Sequence, residues 1–241
     1  MIRVAAVADV HFGADSAGRL RPDLDRLPER ADLLLIGGDL TRRGEPDEAA
    51  VLARELKDVK VPVLAVLGNH DYHSCQEAEV RKAMEGAGVR VLEGEAEVLE
   101  VAGVRIGVAG VKGFCGGFTG AATEFGEPEM KAFAAAARSA GESLERLLRE
   151  MEADLKIALM HYAPIEATLV GERYEVWPFL GSDRLAEAVD RGGADLVLHG
   201  HAHAGSERGV TAGGVPVRNV AMSLIKSSYG LFTLEAPVRA R

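Results

Sequence analysis

The sequence predicts an α/β domain, and three observations support this. Short apolar runs rich in aliphatic and β-branched residues alternate with longer polar or amphipathic stretches that carry helix signals. The 241 residues are 47% hydrophobic and 27% charged, which is enough to bury a full core. The sequence contains no internal repeat, low-complexity tract or interdomain linker. We therefore expect a single domain over residues 1–241.

Five short apolar runs are the expected buried strands. They cover residues 4–8, 33–36, 63–67, 157–160 and 196–198, the last within a strand expected over 195–199. In an open α/β sheet, ligands bind beyond the carboxyl ends of the strands. Side chains that follow these runs are thus expected to converge, although they are far apart in the sequence.

Helices are expected between the strands. Pro46 begins one that continues over residues 49–56, because proline suits a first helical turn and the following acids stabilise its positive end. Other helices are expected within residues 15–30, over 76–87 with a stop at Gly88, and over 182–191. Residues 128–152 are also helical in composition, and a capping-box pattern at 139–142 predicts a break into two helices near Gly141.

Residues 89–109 have a different pattern. Short, mostly apolar segments at 91–92, 98–101 and 104–108 are joined by short glycine turns, which predicts an antiparallel meander. Near the end of the chain, residues 211–215 are expected to turn a hairpin that leads into strands over 217–220 and 229–234.

Charge and composition limit the function. The formal net charge is -9, and no run of Lys or Arg is long enough to follow a polynucleotide backbone, so long duplex nucleic acid is not expected as a substrate. No apolar run is long enough to span a membrane, and the N-terminus leads directly into a strand, which favours a cytoplasmic protein without a membrane partner. Cys75 and Cys115 are expected to be reduced thiols.

Metal-ligating side chains follow each of the five apolar runs. The segments are Asp9-Val10-His11, Gly38-Asp39, Gly68-Asn69-His70-Asp71, His161 and Gly200-His201-Ala202-His203. Any one of them alone could be a turn or a buried core histidine. That reading does not explain why five of the seven histidines fall within one ordered pattern.

The series resembles the calcineurin-like metallophosphoesterase superfamily, whose pattern is D-x-H, G-D, G-N-H-D/E, H and G-H-x-H. The resemblance covers residues 9–203 and implies a four-layer α/β/β/α sandwich of two mixed sheets. It also implies a binuclear centre in which Asp39 bridges the two metals. The implied ligands are Asp9, His11, Asp39 and His203 for the first metal, and Asp39, Asn69, His161 and His201 for the second.

The implied donor set combines imidazole nitrogen with carboxylate and amide oxygen and contains no thiolate. Such a set suits Mn²⁺, Fe, Zn²⁺ or Co²⁺, of which Mn²⁺ is our expectation. Asp9 and His11 are two residues apart at a strand end, so strand alternation places both on one face. The resemblance implies a hydroxide bridging the two metals as nucleophile.

His70 is not a metal ligand in the family, and the resemblance implies that it is a general acid or an electrostatic stabiliser. Many relatives have an acid that orients this histidine at the position where this chain has Arg42. Either Asp71 or another acid supports His70, or His70 works unsupported and Arg42 contacts the substrate phosphate. Arg42 could equally lie in a solvated turn, and Asp71 could instead hold local backbone.

Two further segments carry possible substrate contacts. Lys112 lies in a glycine-rich stretch over residues 110–120 that is not a P-loop, and it is a candidate phosphate contact. Tyr174, Trp177 and Phe179 follow His161, where aromatic rings could stack a nucleobase. Residues 177–179 could equally lie in the core or form a dimer contact, and packing of this kind is the favoured expectation.

The histidines outside the pattern have separate expectations. His73 is expected at the surface, and His199 in the core or behind the ligands.

These observations favour a binuclear-metal phosphoesterase that hydrolyses small phosphodiester or nucleotide-type substrates. A phosphomonoesterase or a protein phosphatase is the alternative, and a non-catalytic metal-binding regulatory module is a more distant one. The expected partner is a small phosphorylated substrate, and the sequence leaves the oligomeric state open.

Overall fold

The computed structural model describes residues 1–118 and 123–235. Its strands are, in chain order, β1 (Ile2–Val7), β2 (Leu33–Gly37), β3 (Val63–Val66), β4 (Arg90–Val91), β5 (Glu95–Val101), β6 (Val104–Val111), β7 (Leu155–Met160), β8 (Leu196–His199), β9 (Arg208–Val210), β10 (Pro216–Asn219) and β11 (Gly230–Leu234). Each expected strand is present, with ends that differ by up to three residues; β5 begins three residues earlier and β6 ends three residues later than expected.

The helices alternate with these strands. They are α1 (Arg21–Leu24), α2 (Leu27–Arg30), α3 (Pro46–Leu56), α4 (Glu77–Gly86), α5 (Pro128–Glu150), α6 (Trp177–Leu180), α7 (Asp183–Gly192) and α8 (Met222–Ile225). Single 3₁₀ turns lie at His70–Tyr72, Glu166–Leu169 and Tyr174–Val176. None of the helices in the described ranges is long and apolar enough to cross a bilayer.

The strands form two mixed sheets. The first has the order β11-β1-β2-β3-β4, with β1 to β4 parallel and β11 antiparallel to β1. The second has the order β5-β6-β7-β8-β10-β9, with parallel strands in the middle and an antiparallel strand at each edge. Parallel strands buried on both faces explain why the central runs are continuously apolar.

The sheets pack face to face with helices outside. An apolar cluster between the sheets joins residues such as Val4 and Leu35 of the first to Ile157 and Leu198 of the second. A second cluster covers the outer face of the first sheet with α1 to α4, and a third covers the outer face of the second sheet with α5 and α7. The expected α/β/β/α sandwich is confirmed.

Helix α5 is continuous, so the expected break near Gly141 is wrong. Gly141 is buried against α7, and an added Cβ would lie 3.1 Å from the carbonyl oxygen of Arg184. The glycine is therefore explained by the close approach of two helices, and it does not end the helix.

The expected meander over residues 89–109 is only partly correct. Strands β5 and β6 do form an antiparallel hairpin, with Glu95 opposite Gly110 and Val101 opposite Val104. Strand β4, however, pairs in parallel with β3 in the first sheet. The chain thus crosses from one sheet to the other between β4 and β5. The later hairpin is confirmed, because β9 and β10 are antiparallel neighbours.

Candidate metal centre

The five motifs meet at the carboxyl ends of five strands. Those of the first sheet follow β1, β2 and β3, and those of the second sheet follow β7 and β8. The centre therefore lies across both sheets. The side chains brought together are Asp9, His11, Asp39, Asn69, His70, His161, His201 and His203.

Four of these residues have a left-handed backbone. The φ angles are 56° at Asp9, 43° at His11, 50° at Asp39 and 69° at His201. Such values are uncommon outside glycine and persist where the surrounding structure enforces them, often at functional sites. Here the loops after β1 and β2 hold each other, because the Asp9 N–H donates to Gly38 O and the His11 N–H donates to Asp39 O, each at 3.0 Å.

Two motif glycines let backbone approach the ligand carboxylates. A Cβ added at Gly68 would collide with the carboxylate of Asp39, and one added at Gly200 would collide with that of Asp9. Only glycine fits at these two positions, which explains on steric grounds why the G-N-H and G-H-x-H motifs each begin with glycine.

The first group of donor atoms consists of Asp9, His11, Asp39 and His203, which lie within 4.8 Å of one another. His203 Nε2 is 3.0 Å from Asp9 Oδ1 and 3.4 Å from His11 Nε2. His11 Nε2 is 3.7 Å from Asp39 Oδ2. This set could hold one divalent ion.

The second group consists of Asp39, His161 and His201. His161 Nε2 lies 2.9 Å from Asn69 Oδ1, 3.1 Å from His201 Nδ1 and 3.3 Å from Asp39 Oδ1. The Asn69 amide oxygen therefore lies beside the donor atoms of this second group. These four residues are those that the resemblance assigns to the second metal.

Hydrogen bonds on the far side of each ring indicate which nitrogen carries the proton. His161 Nδ1 is 3.0 Å from Gly37 O, and His201 Nε2 is 3.3 Å from Phe179 O. Because a carbonyl only accepts, both nitrogens are donors, and neutral rings then direct His161 Nε2 and His201 Nδ1 at each other as lone pairs. Acceptors crowded in this way fit a cation between them.

Asp39 belongs to both groups. Its side chain is 1% exposed, and its two oxygens face opposite ways: Oδ1 towards His161 and Oδ2 towards His11. Oδ1 also accepts the backbone N–H of His70 at 2.9 Å. One carboxylate with several lone pairs can serve two ions at once.

The protonation states suit metal binding. Burial alone would raise the pKa of Asp9, but its hydrogen bond to His203 and the nearby histidines lower it below the usual value. Burial lowers the pKa of His201 to about 3, so this ring is neutral at pH 7. An ionised carboxylate and a neutral imidazole are the forms that bind metals.

A backbone carbonyl orients His70. Its Nδ1 donates to Arg42 O at 2.7 Å, and its Nε2 lies 3.9 Å from Asp39 Oδ2. Within the described residues, no carboxylate bonds Nδ1, yet the ring is supported, so the arrangement differs from both expected alternatives. The residue that replaces the family's acid supports the histidine through its main chain.

Asp71 holds the surrounding loops. Its carboxylate accepts the backbone N–H groups of Leu40, Thr41 and Gly68 at 2.8 to 3.1 Å, and also the Thr41 hydroxyl. Burial raises the pKa of Asp71 to about 6. This buried acid links the loop after β2 to the loop after β3. It therefore holds backbone, which was one of the two roles expected for it.

Two arginines line a cleft beside His70. The cleft has a volume of about 340 Å³ and is lined by Arg42, Arg43, Asn69, His70 and His73. The Arg42 guanidinium lies over Gly13 and pairs with the exposed Asp15 at 2.8 Å. Both arginine side chains are exposed, so the cleft presents positive charge at the rim of the centre.

Lys112 directly follows the end of β6. Its half-buried ammonium faces the rings of Tyr72, Phe114 and Tyr162 at 4.6, 5.4 and 5.9 Å from their centroids. Burial lowers the pKa of Lys112. The Tyr162 ring is 4.5 Å from that of His201, a contact that no sequence pattern signalled. Thr119 and Gly120, which end the glycine-rich stretch, lie outside the described residues.

The remaining two histidines are placed as expected. His199 is fully buried and contacts Thr168 Oγ1 at 2.9 Å, and His73 is exposed. In the aromatic segment, Trp177 packs against a small apolar cluster, whereas Tyr174 and Phe179 are 70% and 60% exposed. Phe179 therefore does not lie in the core, and whether it forms a dimer contact stays a prediction.

Two curated relatives share part of the sequence. The Aeropyrum pernix DNA double-strand break repair protein Mre11 is 35% identical over 103 residues, which are 36% of this chain and 25% of that protein. A Fibrobacter succinogenes protein named "Probable cyclic nucleotide phosphodiesterase" is 32% identical over 82 residues, which are 30% of this chain and 31% of that protein. The chain thus matches about a quarter to a third of these relatives' lengths.

Solved structures share the fold over most of the chain. The Phosphopantetheinyl Hydrolase (PptH) from Mycobacterium tuberculosis has a TM-score of 0.67 at 16% identity, and the match covers 92% of this chain and 90% of that one. The Thermus thermophilus protein TT1561 has a TM-score of 0.61 at 20% identity with the same coverage. The calcineurin-like phosphoesterase family model matches residues 2–205. Together with the residues that meet at the strand ends, this match shows that the chain belongs to the calcineurin-like phosphoesterase family.

Proposed function

We propose that this protein hydrolyses small phosphodiesters and that it holds two divalent transition-metal ions, with Mn²⁺ the expected ion. The observation that carries the proposal is the pair of donor groups that share Asp39. Asp9, His11 and His203 would complete one ion's ligands, and Asn69, His161 and His201 the other's. When bound, such ions supply a nucleophile at neutral pH and neutralise charge on the phosphate.

His70 is the proposed proton donor. Its Nδ1 proton is held by Arg42 O, which leaves Nε2 directed at the rim of the centre beside Asp39. A proton on Nε2 would pass to the oxygen of the departing alcohol as the ester bond breaks. The carbonyl fixes the ring without placing another negative charge next to the substrate.

Arg42 and Lys112 are the proposed substrate contacts. Arg42 lies in the cleft beside His70, and its present partner, Asp15, is exposed and can be replaced by a phosphate oxygen at little cost. Lys112 adds positive charge on the side of Tyr162 and His201. These two cations favour an anionic substrate within a protein whose net charge is -9.

The small-diester proposal has two supports. The Fibrobacter succinogenes relative is named for a cyclic nucleotide, which is a small phosphodiester. The net charge of -9 opposes the approach of a long polyanion. A phosphomonoesterase is the second candidate, because the cationic cleft of Arg42 and Arg43 would also accept a terminal phosphate.

A substrate panel tests these proposals. After chelation and reconstitution with Mn²⁺, we expect hydrolysis of bis-nitrophenyl phosphate and of a cyclic nucleotide to exceed that of nitrophenyl phosphate. Asp39→Asn is the matched control and should lose all three activities. A higher specificity constant on the monoester would favour the second candidate, and full activity after exhaustive chelation would overturn the metal requirement.

A further inference from the structure

Exposed apolar side chains are concentrated beside the metal centre. Of the large hydrophobic residues that are exposed in the described part of the chain, three lie between residues 170 and 179: Val170 at 57%, Tyr174 at 70% and Phe179 at 60%. Scattered exposed apolar residues need no explanation, but a local group of them indicates a contact surface.

This segment is attached directly to the ligand histidines. The Phe179 carbonyl accepts the Nε2 proton of His201 at 3.3 Å. The Glu172 carboxylate accepts the backbone N–H of Ala204, the residue after His203, at 2.7 Å. The backbone that carries the exposed rings therefore lies behind His201 and next to His203, while the arginine cleft lies on the His70 side.

The backbone under these rings is held in place. Trp177 donates its indole N–H to Glu172 O at 3.3 Å and packs against the small apolar cluster that includes Ala202, the residue between His201 and His203. The Leu180 carbonyl accepts the Ala163 N–H at 2.9 Å. The Tyr174 and Trp177 rings are 5.2 Å apart. We call Tyr174, Trp177 and Phe179 the aromatic wall, and it is a supported surface whose outer rings are free to contact a ligand.

We propose that the aromatic wall binds the nucleobase of a nucleotide substrate whose phosphate lies at the metal centre, so that the physiological esters are nucleotides. This inference rests on the proposed function. Stacking needs only a flat π-face, which every base has. The same segment carries two carboxylates, Glu172 and Glu175, and one guanidinium, Arg173, which lies 3.7 Å from Glu175, so it has no excess of positive charge for an anionic membrane surface.

Intrinsic fluorescence gives a direct test, because Trp177 is the only tryptophan in the chain. With Mn²⁺ present, AMP should quench this fluorescence saturably. Ribose 5-phosphate, which has the phosphate without the base, should leave it unchanged. By calorimetry, AMP should bind about 5- to 100-fold more tightly than ribose 5-phosphate, the range that one stacked base gives.

Variants identify the rings that are responsible. Phe179→Ala and Tyr174→Ala should weaken AMP binding towards that of ribose 5-phosphate, with ribose 5-phosphate binding and metal content unchanged. Val98→Ala is the matched control, since Val98 is 43% exposed but lies on β5 at the edge of the second sheet. Equal wild-type affinity for the two ligands, or an equal loss of both in Phe179→Ala, would overturn the inference.

The outcomes separate the two proposals. Diester hydrolysis that does not depend on a base, with no quenching by AMP, would reject the aromatic wall and leave the phosphodiesterase proposal standing. Base-dependent quenching without hydrolysis of any diester would support the aromatic wall as a nucleotide site and reject the proposed function.

Discussion

Backbone carbonyls orient three of the histidines at the metal centre. Gly37 O holds His161, Phe179 O holds His201 and Arg42 O holds His70. Each carbonyl fixes one ring nitrogen as a donor, which leaves the other free to face the site. Because every residue has a carbonyl, no sequence pattern could have identified these partners. That is why the sequence predicted which side chains would converge here but not what supports His70.

His70 should affect the chemical step more than metal binding. His70→Ala should slow hydrolysis of an alkyl phosphodiester by about 10² to 10⁴-fold, because an alkoxide must be protonated as it leaves. A nitrophenyl ester should lose much less, since nitrophenolate leaves without a proton. The measurements are the rates on both esters and the metal content of the variant.

Arg42→Ala is the control for this test. It keeps the main-chain carbonyl that holds His70, so the difference between the alkyl and nitrophenyl esters should stay as in the wild type while substrate binding weakens. Equal losses on the two esters in His70→Ala would leave only electrostatic stabilisation for this residue. Loss of a metal would make it a ligand.

Among the elements, the sequence predicted strand ends better than strand partners. The motifs marked the carboxyl ends of β1, β2, β3, β7 and β8 because polar ligands there follow apolar runs. The partner of β4 was not predictable, since two residues contain no signal for which sheet they join. Asp9 and His11 were correctly placed together, but strand alternation is not the reason: both have left-handed backbone beyond the end of β1.

Gly200 tests how closely the strand ends must approach. Gly200→Ala should displace Asp9, because the added Cβ has no space beside its carboxylate or beside Ala8. We expect a lower thermal midpoint. We also expect the affinity for the first metal to fall at least tenfold, because losing the support of a ligand typically lowers metal affinity by this much. Gly86→Ala is the control: its Cβ would meet nothing within 4 Å, and a helix gains up to about 1 kcal/mol from this exchange. Unchanged metal affinity in Gly200→Ala would contradict the steric account.

At the scale of the molecule, the metal centre joins the two sheets. Asp9, His11, Asp39 and Asn69 come from the first sheet, and His161, His201 and His203 come from the second. Ions held by both sets bind only when the sheets are correctly docked. Binding to the native state alone stabilises it by mass action.

Metal removal should therefore lower the thermal midpoint. At a free Mn²⁺ concentration 100 times the dissociation constant of a site, each bound ion contributes about 2.7 kcal/mol, or roughly 5 to 10 °C for a chain of this size. Differential scanning calorimetry with and without a chelator measures it. Asp39→Asn should abolish most of the shift, because both groups lose a ligand, and His11→Ala should abolish only part. A wild-type midpoint unaffected by chelation, or a full shift in Asp39→Asn, would refute the shared-ligand assignment.

The position of β11 has a consequence for the order in which the protein matures. Residues 230–234 pair with β1, the strand that leads into Asp9 and His11. In this pairing Ile2 lies opposite Leu234. In the nascent chain, the outer side of β1 therefore has no strand partner until residues 230–234 have left the ribosome. The ligands that follow β1 are made long before the strand that completes their sheet, so we expect stable metal loading only after β11 has been made.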